Sequence, residues 1–383
     1  MKTEWVHKKL GDCCESELGK TLDEGRNTGL YRPYLCALNV LWGKIDISII
    51  KQMRIEDSEL ERYLVKKGDL LVCEGGEIGR CAIWENDDEI YYQNALHRVR
   101  FYKEYDAYFF MYLLCHYNDL KLIEQYGKGL TIKHLNQTAF RNIPVCVPDL
   151  PAQRRIAAIL ASADKVIAAT QKTIAKYKQM KQGMMEDLLN EQCTMNNVQW
   201  VQKTLIELAD YHNGMAFKPS DWANDGVKII RIEQLNNPLG KYDYYQGMFP
   251  ETSAIHNGDL IFSWSATLKV VIWQWGDGVL NQHLFKVVPA SNVDKHFLYY
   301  LLDYNMPKLG ESSHGSTMKH IKRKELETHT VYIPRKIAEQ KRIASILSSI
   351  DSKIECEQSV LNKYIQVKKG LMEKLLNEKC EIL

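Results

Sequence analysis

The sequence predicts an α+β protein: two globular domains of mixed helix and strand, joined by two long helices that form an antiparallel coiled coil. Three observations predict it. Residues 153–190 return without a gap at 340–377, with about half the positions identical. Within both copies the apolar residues keep a heptad rhythm. Ahead of each copy, short β-branched and aromatic runs alternate with glycine and Asn-Asp breaks, the mark of short strands. The repeat period, about 187 residues, far exceeds the roughly 20–50 of solenoid repeats, so each copy is a domain-sized unit and the whole is a pseudo-two-fold internal repeat.

The bulk numbers agree with this plan. A chain of 383 residues, 45% apolar and 26% charged, has the composition of two or three soluble globular domains. The opening segment MKTEWVHKK has no apolar stretch behind its charges, so no signal peptide is expected there. The longest apolar run, AYFFMYLLC at 107–115, is about half of a bilayer span. A cytoplasmic protein without membrane contact is therefore expected. The ten cysteines contain no CxxC pair, which argues against a metal site and for reduced thiols. A net charge of +2 neither demands nor excludes nucleic acid; a DNA binder of this composition must gather its positive charge on one face.

Taken in order, the first domain covers residues 1–151. It opens at Trp5-Val6, continues through strand-like KKGDLLV (66–72), CAIWE (81–85) and QNALHRV (93–99), enters a helix near 107–117, and closes on VCVP (145–148). The first long helix covers 152–195. The second domain, 196–337, repeats the plan with Trp200-Val201, HNGDLIF (256–262), KVVIWQW (269–275), NQHLFKV (281–287), a helix near 295–304, and VYIP (331–334). The second long helix covers 338–383. Trp5 and Trp200 read as core anchors.

The helices carry the clearest periodicity. Ile156, Leu160, Ala163, Ile167, Thr170, Ile174, Tyr177, Lys181, Met184 and Leu188 form one seam; Ile343, Leu347, Ile350, Ile354, Glu357, Leu361, Tyr364, Lys368, Leu371 and Leu375 form the other. A pattern held for over four heptads argues for a coiled coil, with Lys181 and Lys368 snorkelling or setting register. Each helix is on the order of 50 Å long. The second domain leaves the end of one helix and returns to the start of the other, so antiparallel helices allow short linkers and parallel ones do not. Gly183 and Gly370 cost these helices roughly 1 kcal/mol each; a closely approaching partner or a mild bend accounts for them.

Two related modules held a fixed distance apart suit the reading of separated half-sites, since successive major grooves on one face of B-DNA lie roughly 34 Å apart. A scaffold that joins proteins without reading DNA is the other reading this architecture leaves open.

The motifs go further. The helix openings LPAQRRIAAIL and IAEQKRIASIL, the helix ends MKQGMMEDLLN and VKKGLMEKLLN, the GDLL and GDLI strands, and the loops GKGLTIKHL and HGSTMKHI all occur twice and in the same order. In these segments the chain resembles the specificity (S, HsdS) subunit of type I restriction–modification systems, along its whole length. The first copy departs mildly, with Ala152-Gln153 where the second has Glu339-Gln340.

That resemblance implies a division of labour. Each globular domain is expected to be a target recognition domain for one half of a bipartite asymmetric site in double-stranded DNA. The coiled coil is expected to set the spacer and to offer its flanks to two modification (methyltransferase) subunits. Restriction (endonuclease/translocase) subunits join through those. No catalytic residue and no cofactor are expected on this chain; S-adenosylmethionine, ATP and magnesium belong to the partner subunits. The helix residues expected at the docking surface are Arg155, Asp164, Gly183, Glu186, Arg342, Asp351, Gly370 and Glu373.

Base readout needs Arg, Lys, Asn, Gln, Ser, Thr or His presented to groove edges, with further cations on phosphates. In the first domain the candidates are Tyr31, Arg32, Asn39, Lys44, Arg80, Gln93, Asn94, His97, Lys128, Thr131, Lys133 and His134. In the second they are Lys218, Arg231, Gln234, Asn236, Ser263, Ser265, Lys269, Gln282, His283, Ser316, Thr317, Lys319 and His320. The paired Thr-x-Lys-His loops rank first, because their glycines let the backbone approach phosphate closely. Enzyme motifs are absent: Asn236-Asn237-Pro238-Leu239 lacks a proline and the aromatic of an amino-methyltransferase NPPF/Y motif, and Glu339-Gln340-Lys341 has no aspartate at nuclease spacing.

Overall fold

The computed structural model describes residues 5–23, 25–127, 129, 133–190, 198–311 and 320–377. The chain divides into two units, Met1–Gln171 with Val360–Leu383, and Lys172–Ser359. Both long helices are thus shared between the units.

The first unit is built on two four-stranded sheets. One is antiparallel, in the order Cys14–Leu18, Leu96–Phe101, Leu70–Cys73, Cys81–Ile83. Its inner strand Leu70–Cys73 is buried at every position, which is why the sequence shows an unbroken apolar run there. The other sheet runs Lys51–Ile55, Leu30–Leu35, Ile90–Tyr92, Leu64–Val65, with the two middle strands parallel. The opening strand Val6–Lys9 pairs antiparallel with Pro144–Val147. Helix α1 (Ala107–Asp119) starts where the Asp106 side chain accepts the Phe109 amide at 3.0 Å. Its Phe109, Phe110 and Leu113 enter one core with Leu70, Val72 and Val99. From that unit runs the first long helix, α2 (Leu150–Leu188).

The second unit repeats this topology. Its antiparallel sheet runs Ala209–Asn213, Leu284–Pro289, Leu260–Ser263, Lys269–Ile272. Its mixed sheet runs Tyr244–Tyr245, Val227–Ile230, Gly278–Leu280, Ala254–Ile255, again with a parallel middle pair. Trp200–Thr204 pairs with Thr330–Pro334. Helix α3 (Lys295–Glu311) stands where α1 stands, and the second long helix is α4 (Ile337–Asn377). Trp5 and Trp200 both pack against their cores.

Each unit pairs one half of α2 with one half of α4. In the first, Ile156, Ala157 and Leu160 of α2 share a core with Met372 and Leu376 of α4. In the second, Met185 of α2 and Leu189 just past its end share a core with Ile343, Ala344 and Leu347 of α4. Early residues of one helix meet late residues of the other in both units, so the pairing is antiparallel in each. Tyr364 departs from the expected seam and is 40% exposed, because a straight helix drifts against a strict heptad. Among the described cysteines, Cys13, Cys14, Cys36, Cys73, Cys81, Cys115 and Cys356 are free.

Candidate nucleic-acid interface

In each unit three segments meet at one end of the antiparallel sheet. In the first unit they are the turn after Leu70–Cys73, the Gln93–Asn94 turn, and the chain at Lys133–Leu135. The Leu135 amide donates to the Glu74 carbonyl at 2.7 Å and the Glu74 amide to Ala95 at 2.9 Å. Gly75 and His134 form a β-bridge. In the second unit the Ile321 amide donates to Trp264 at 2.8 Å, and Ser265 bridges His320. The Trp264 ring lies 5.5 Å from His283 and 6.1 Å from His320.

A close-approach glycine supports each platform. At Gly19 a Cβ would stand 2.4 Å from the Tyr92 and Gln93 carbonyl oxygens, and at Gly214 it would stand 2.3–2.4 Å from those of Asn281 and Leu280. Only glycine lets the neighbouring strand run so near the amide turn. The backbone frame is therefore the same in both units and both carry a histidine, His134 or His320, while other side chains differ: Glu74, Asn94 and Ala95 in one, Trp264, Gln282 and His283 in the other.

Several candidates lie on this frame or beside it. Asn94 is half-buried and Gln282 exposed, on equivalent turns, and neither side-chain amide bonds to a described residue. Gln93 is half-buried on the same turn. Lys133 is exposed but tethered to the Glu124 carbonyl at 3.2 Å and to its carboxylate at 3.4 Å. His134 is exposed, and His320 and His283 are half-buried. The His283 Nδ1 is buried without a partner among the described residues. Lys128, Thr131, Ser316, Thr317 and Lys319 lie outside the described residues.

A second exposed surface lies on the mixed sheet of the first unit. Tyr31 is 61% exposed, and the Arg54 guanidinium sits 5.0 Å from its ring centroid across the strand pair. Arg32 follows, half-buried, and Lys44 is exposed on the neighbouring hairpin. Sequence reasoning missed Arg54 and Lys51, as well as the apolar residues Leu38 and Ile49, which are 77% and 73% exposed. The signal for Arg54 was its register opposite Tyr31, which only strand pairing reveals. In the second unit Lys218 and Asn236 are exposed.

Other candidates are engaged in bonds within the fold. Asn39 is buried, accepting the Cys36 amide and donating to the Asp46 and Ile49 carbonyls, so it braces its own loop. Arg80 is tied to the Ala37 carbonyl at 2.7 Å and to Glu77. His97 is fully buried, its Nε2 2.6 Å from the Leu135 carbonyl and its ring stacked on Phe140, and burial lowers its pKa. Gln234 caps the Arg231 amide and donates to Lys241; Arg231 pairs with Asp243 and covers Trp222. Ser263 and Ser265 are buried, the Ser263 hydroxyl donating to Thr267 at 2.6 Å. Lys269 donates to the Leu235 carbonyl at 2.7 Å. For Asn39, Gln234 and Ser263 the cause is that a buried polar side chain must find a partner.

The helix residues sort in the same way. Arg155, Glu186, Arg342 and Glu373 are exposed. Around Gly183 and Gly370 a Cβ would meet no described residue within 4 Å. Asp164 and Asp351 are bonded within their units through both carboxylate oxygens. Among the described residues no group of three His, Cys, Asp or Glu side chains is placed to hold a metal. No described helix is long and apolar enough to cross a membrane.

The family model for the type I restriction modification DNA specificity domain matches the chain twice, over residues 2–179 and 197–366. The chain belongs to this family of specificity subunits. The type I restriction enzyme MjaVIII specificity subunit of Methanocaldococcus jannaschii is 27% identical over 297 residues, covering 69% of each chain. The putative MjaX specificity subunit of the same organism is 25% identical over 375 residues, 88% of this chain and 85% of that one. The crystal structure of a type I restriction–modification S subunit from M. genitalium has the same fold, with a TM-score of 0.61 at 15% identity over 98% of this chain and 97% of that chain. A chain solved in work on complex assembly and conformational transition of the type I R-M system has a TM-score of 0.65 at 16% identity, over 99% and 100%. The specificity subunit is the component that recognises DNA sequence, and the platforms described above are the repeated part of the fold whose side chains vary.

Proposed function

We propose that the chain reads a bipartite, asymmetric sequence in double-stranded DNA, one half with each recognition domain. The observation that carries this is the platform built twice on one backbone frame and furnished with different side chains. Equal frames present their turns to a duplex in the same way; unequal side chains select different bases. Asn94 and Gln282 stand at equivalent turns, and an amide of either kind pairs bidentately with adenine. Tyr31 and Arg54, paired across two strands of the mixed sheet, add an exposed ring and a positive charge to the first domain, where phosphate contacts fix register.

The helix pair offers its flanks to two methyltransferase subunits, through which restriction subunits join. Support comes from Gly183 and Gly370, which weaken their helices yet face open space, and from exposed Arg155, Arg342, Glu186 and Glu373 at equivalent positions. Chemistry with S-adenosylmethionine, ATP and magnesium belongs to those partners, in the cytoplasm where the DNA is; this chain binds and positions. The test is a swap of residues 1–150 for the first domain of another family member, assayed as methylation with the modification subunit. One half of the methylated sequence should change. A change in both halves, or in neither, overturns the reading.

A further inference from the structure

Each recognition domain is tied to the long helices by the same set of polar contacts. In the first unit the Gln153 side-chain carbonyl accepts the backbone amide of Asp106, the cap of α1, at 2.8 Å, and its amide donates to the Pro148 carbonyl at 2.8 Å. Further along α2, Asp164 Oδ2 accepts the Tyr112 hydroxyl of α1 at 2.7 Å. In the second unit Gln340 accepts the Asp294 amide at 2.8 Å and donates to Pro334 at 2.9 Å, and Asp351 Oδ2 accepts the Tyr300 hydroxyl at 2.7 Å. The chain separation of the two attachment points is identical in the two units, on the domain helix and on the long helix alike. Gln153 and Gln340 are 1% and 0% exposed.

The remaining oxygen of each aspartate faces the opposite long helix. Lys368 Nζ lies 2.6 Å from Asp164 Oδ1, and Lys181 Nζ lies 2.9 Å from Asp351 Oδ1. Each ammonium also sits over the ring of the tyrosine that shares its aspartate, at 5.4 and 5.2 Å from the centroid. Burial, and then the bonded aspartate, raise both phenols far above their ordinary pKa, so they stay donors at any working pH.

Apolar packing between domain and helix is non-directional and tolerates small rotations. Hydrogen bonds weaken steeply with angle and distance. Two such bonds, set apart along one helix, define an angle where apolar contact defines only an area. Because one carboxylate serves both the domain's tyrosine and the other helix's lysine, the domain's seat is coupled to the register of the helix pair. A slip of one turn, about 5.4 Å, takes the lysine out of reach and strands a partly buried carboxylate.

We propose that the two Tyr–Asp–Lys clamps, with their glutamine seats, are positioning elements that hold each recognition domain at one angle on the helix pair and thereby set which separation of half-sites is accepted. This rests on the bipartite reading above. The test uses the chain assembled with its modification subunit, carrying Tyr112→Phe and Tyr300→Phe. Methylation is followed on duplexes with the natural spacer and with spacers one base pair longer or shorter, the target being read from DNA modified by the wild-type complex. Preference for the natural spacer should fall about tenfold, the worth of a charge-assisted hydrogen bond, with the half-site bases unchanged. An unchanged preference in a variant folded by circular dichroism overturns the proposal. Should the phenylalanine variant not fold, Lys181→Met with Lys368→Met loosens the same clamps and is judged by the same two outcomes. A wild-type complex that modifies only uninterrupted sequences overturns the bipartite reading and the spacer role together.

Discussion

His97 shows how burial changes what a polar residue is for. On the sequence it stood among the candidates for DNA contact; in the fold its ring lies between the Leu135 carbonyl and Phe140, and burial holds its pKa below the ordinary imidazole value. The folded form therefore keeps it neutral, while the unfolded chain takes a proton at about pH 6.5. Its contribution to stability is present above that pH and is lost as pH falls through the lowered folded value. Urea midpoints of the wild type should drop between about pH 7 and about pH 5, and His97→Gln should flatten that slope. Equal slopes in the two proteins would remove His97 as the cause. Asn39, Gln234 and Ser263 make the same point: their residue types were legible as groove readers, but whether a loop turns a polar side chain outward or uses it to satisfy its own backbone depends on tertiary packing, which no local pattern encodes.

At the scale of elements the long helices were the most legible part, because heptad spacing is a local property repeated many times. Lys181 and Lys368, which the sequence suggests snorkel or set register, pair with Asp351 and Asp164, residues the sequence offers for docking. Those aspartates are separated from their lysines by a whole domain of chain, so no spacing rule links them. The glycines complete the picture. No described residue occupies the space beside Gly183 or Gly370, so alanine at both should stabilise the isolated chain by about 1 kcal/mol per site through helix propensity. The same substitutions should weaken assembly with the modification subunit, since in the proposed docking the added methyls face that subunit. Thermal unfolding of the free chain and a titration with that subunit read the two effects separately. Stronger unfolding resistance with unchanged assembly would mean that no partner uses the gap.

For the whole molecule, the duplication was visible in the sequence, as was the mixed fold of each half, since strands, domain helix and closing VxVP or VxIP strand recur in order. The platform was not. It is assembled from three turns distant in sequence and held by backbone bonds such as Leu135 to Glu74 and Ile321 to Trp264. If the two platforms act independently, Asn94→Ala should relax base preference in one half-site only and Gln282→Ala in the other, each by about 1–3 kcal/mol of discrimination. Competition binding with single-base variants of the target measures this, and relaxation of the same half by both variants would contradict independence. The division of the chain also bears on the order in which it is made. The first unit closes its core with Met372 and Leu376, which are translated after the whole of the second unit. During synthesis the first recognition domain must wait, with Leu160 and its neighbours lacking their final cover, while the second domain emerges and folds. The half-built core is a window for chaperone binding or for capture by another nascent chain. It closes only when the distal stretch of α4 arrives, so translation past residue 360 completes both ends of the sequence at once.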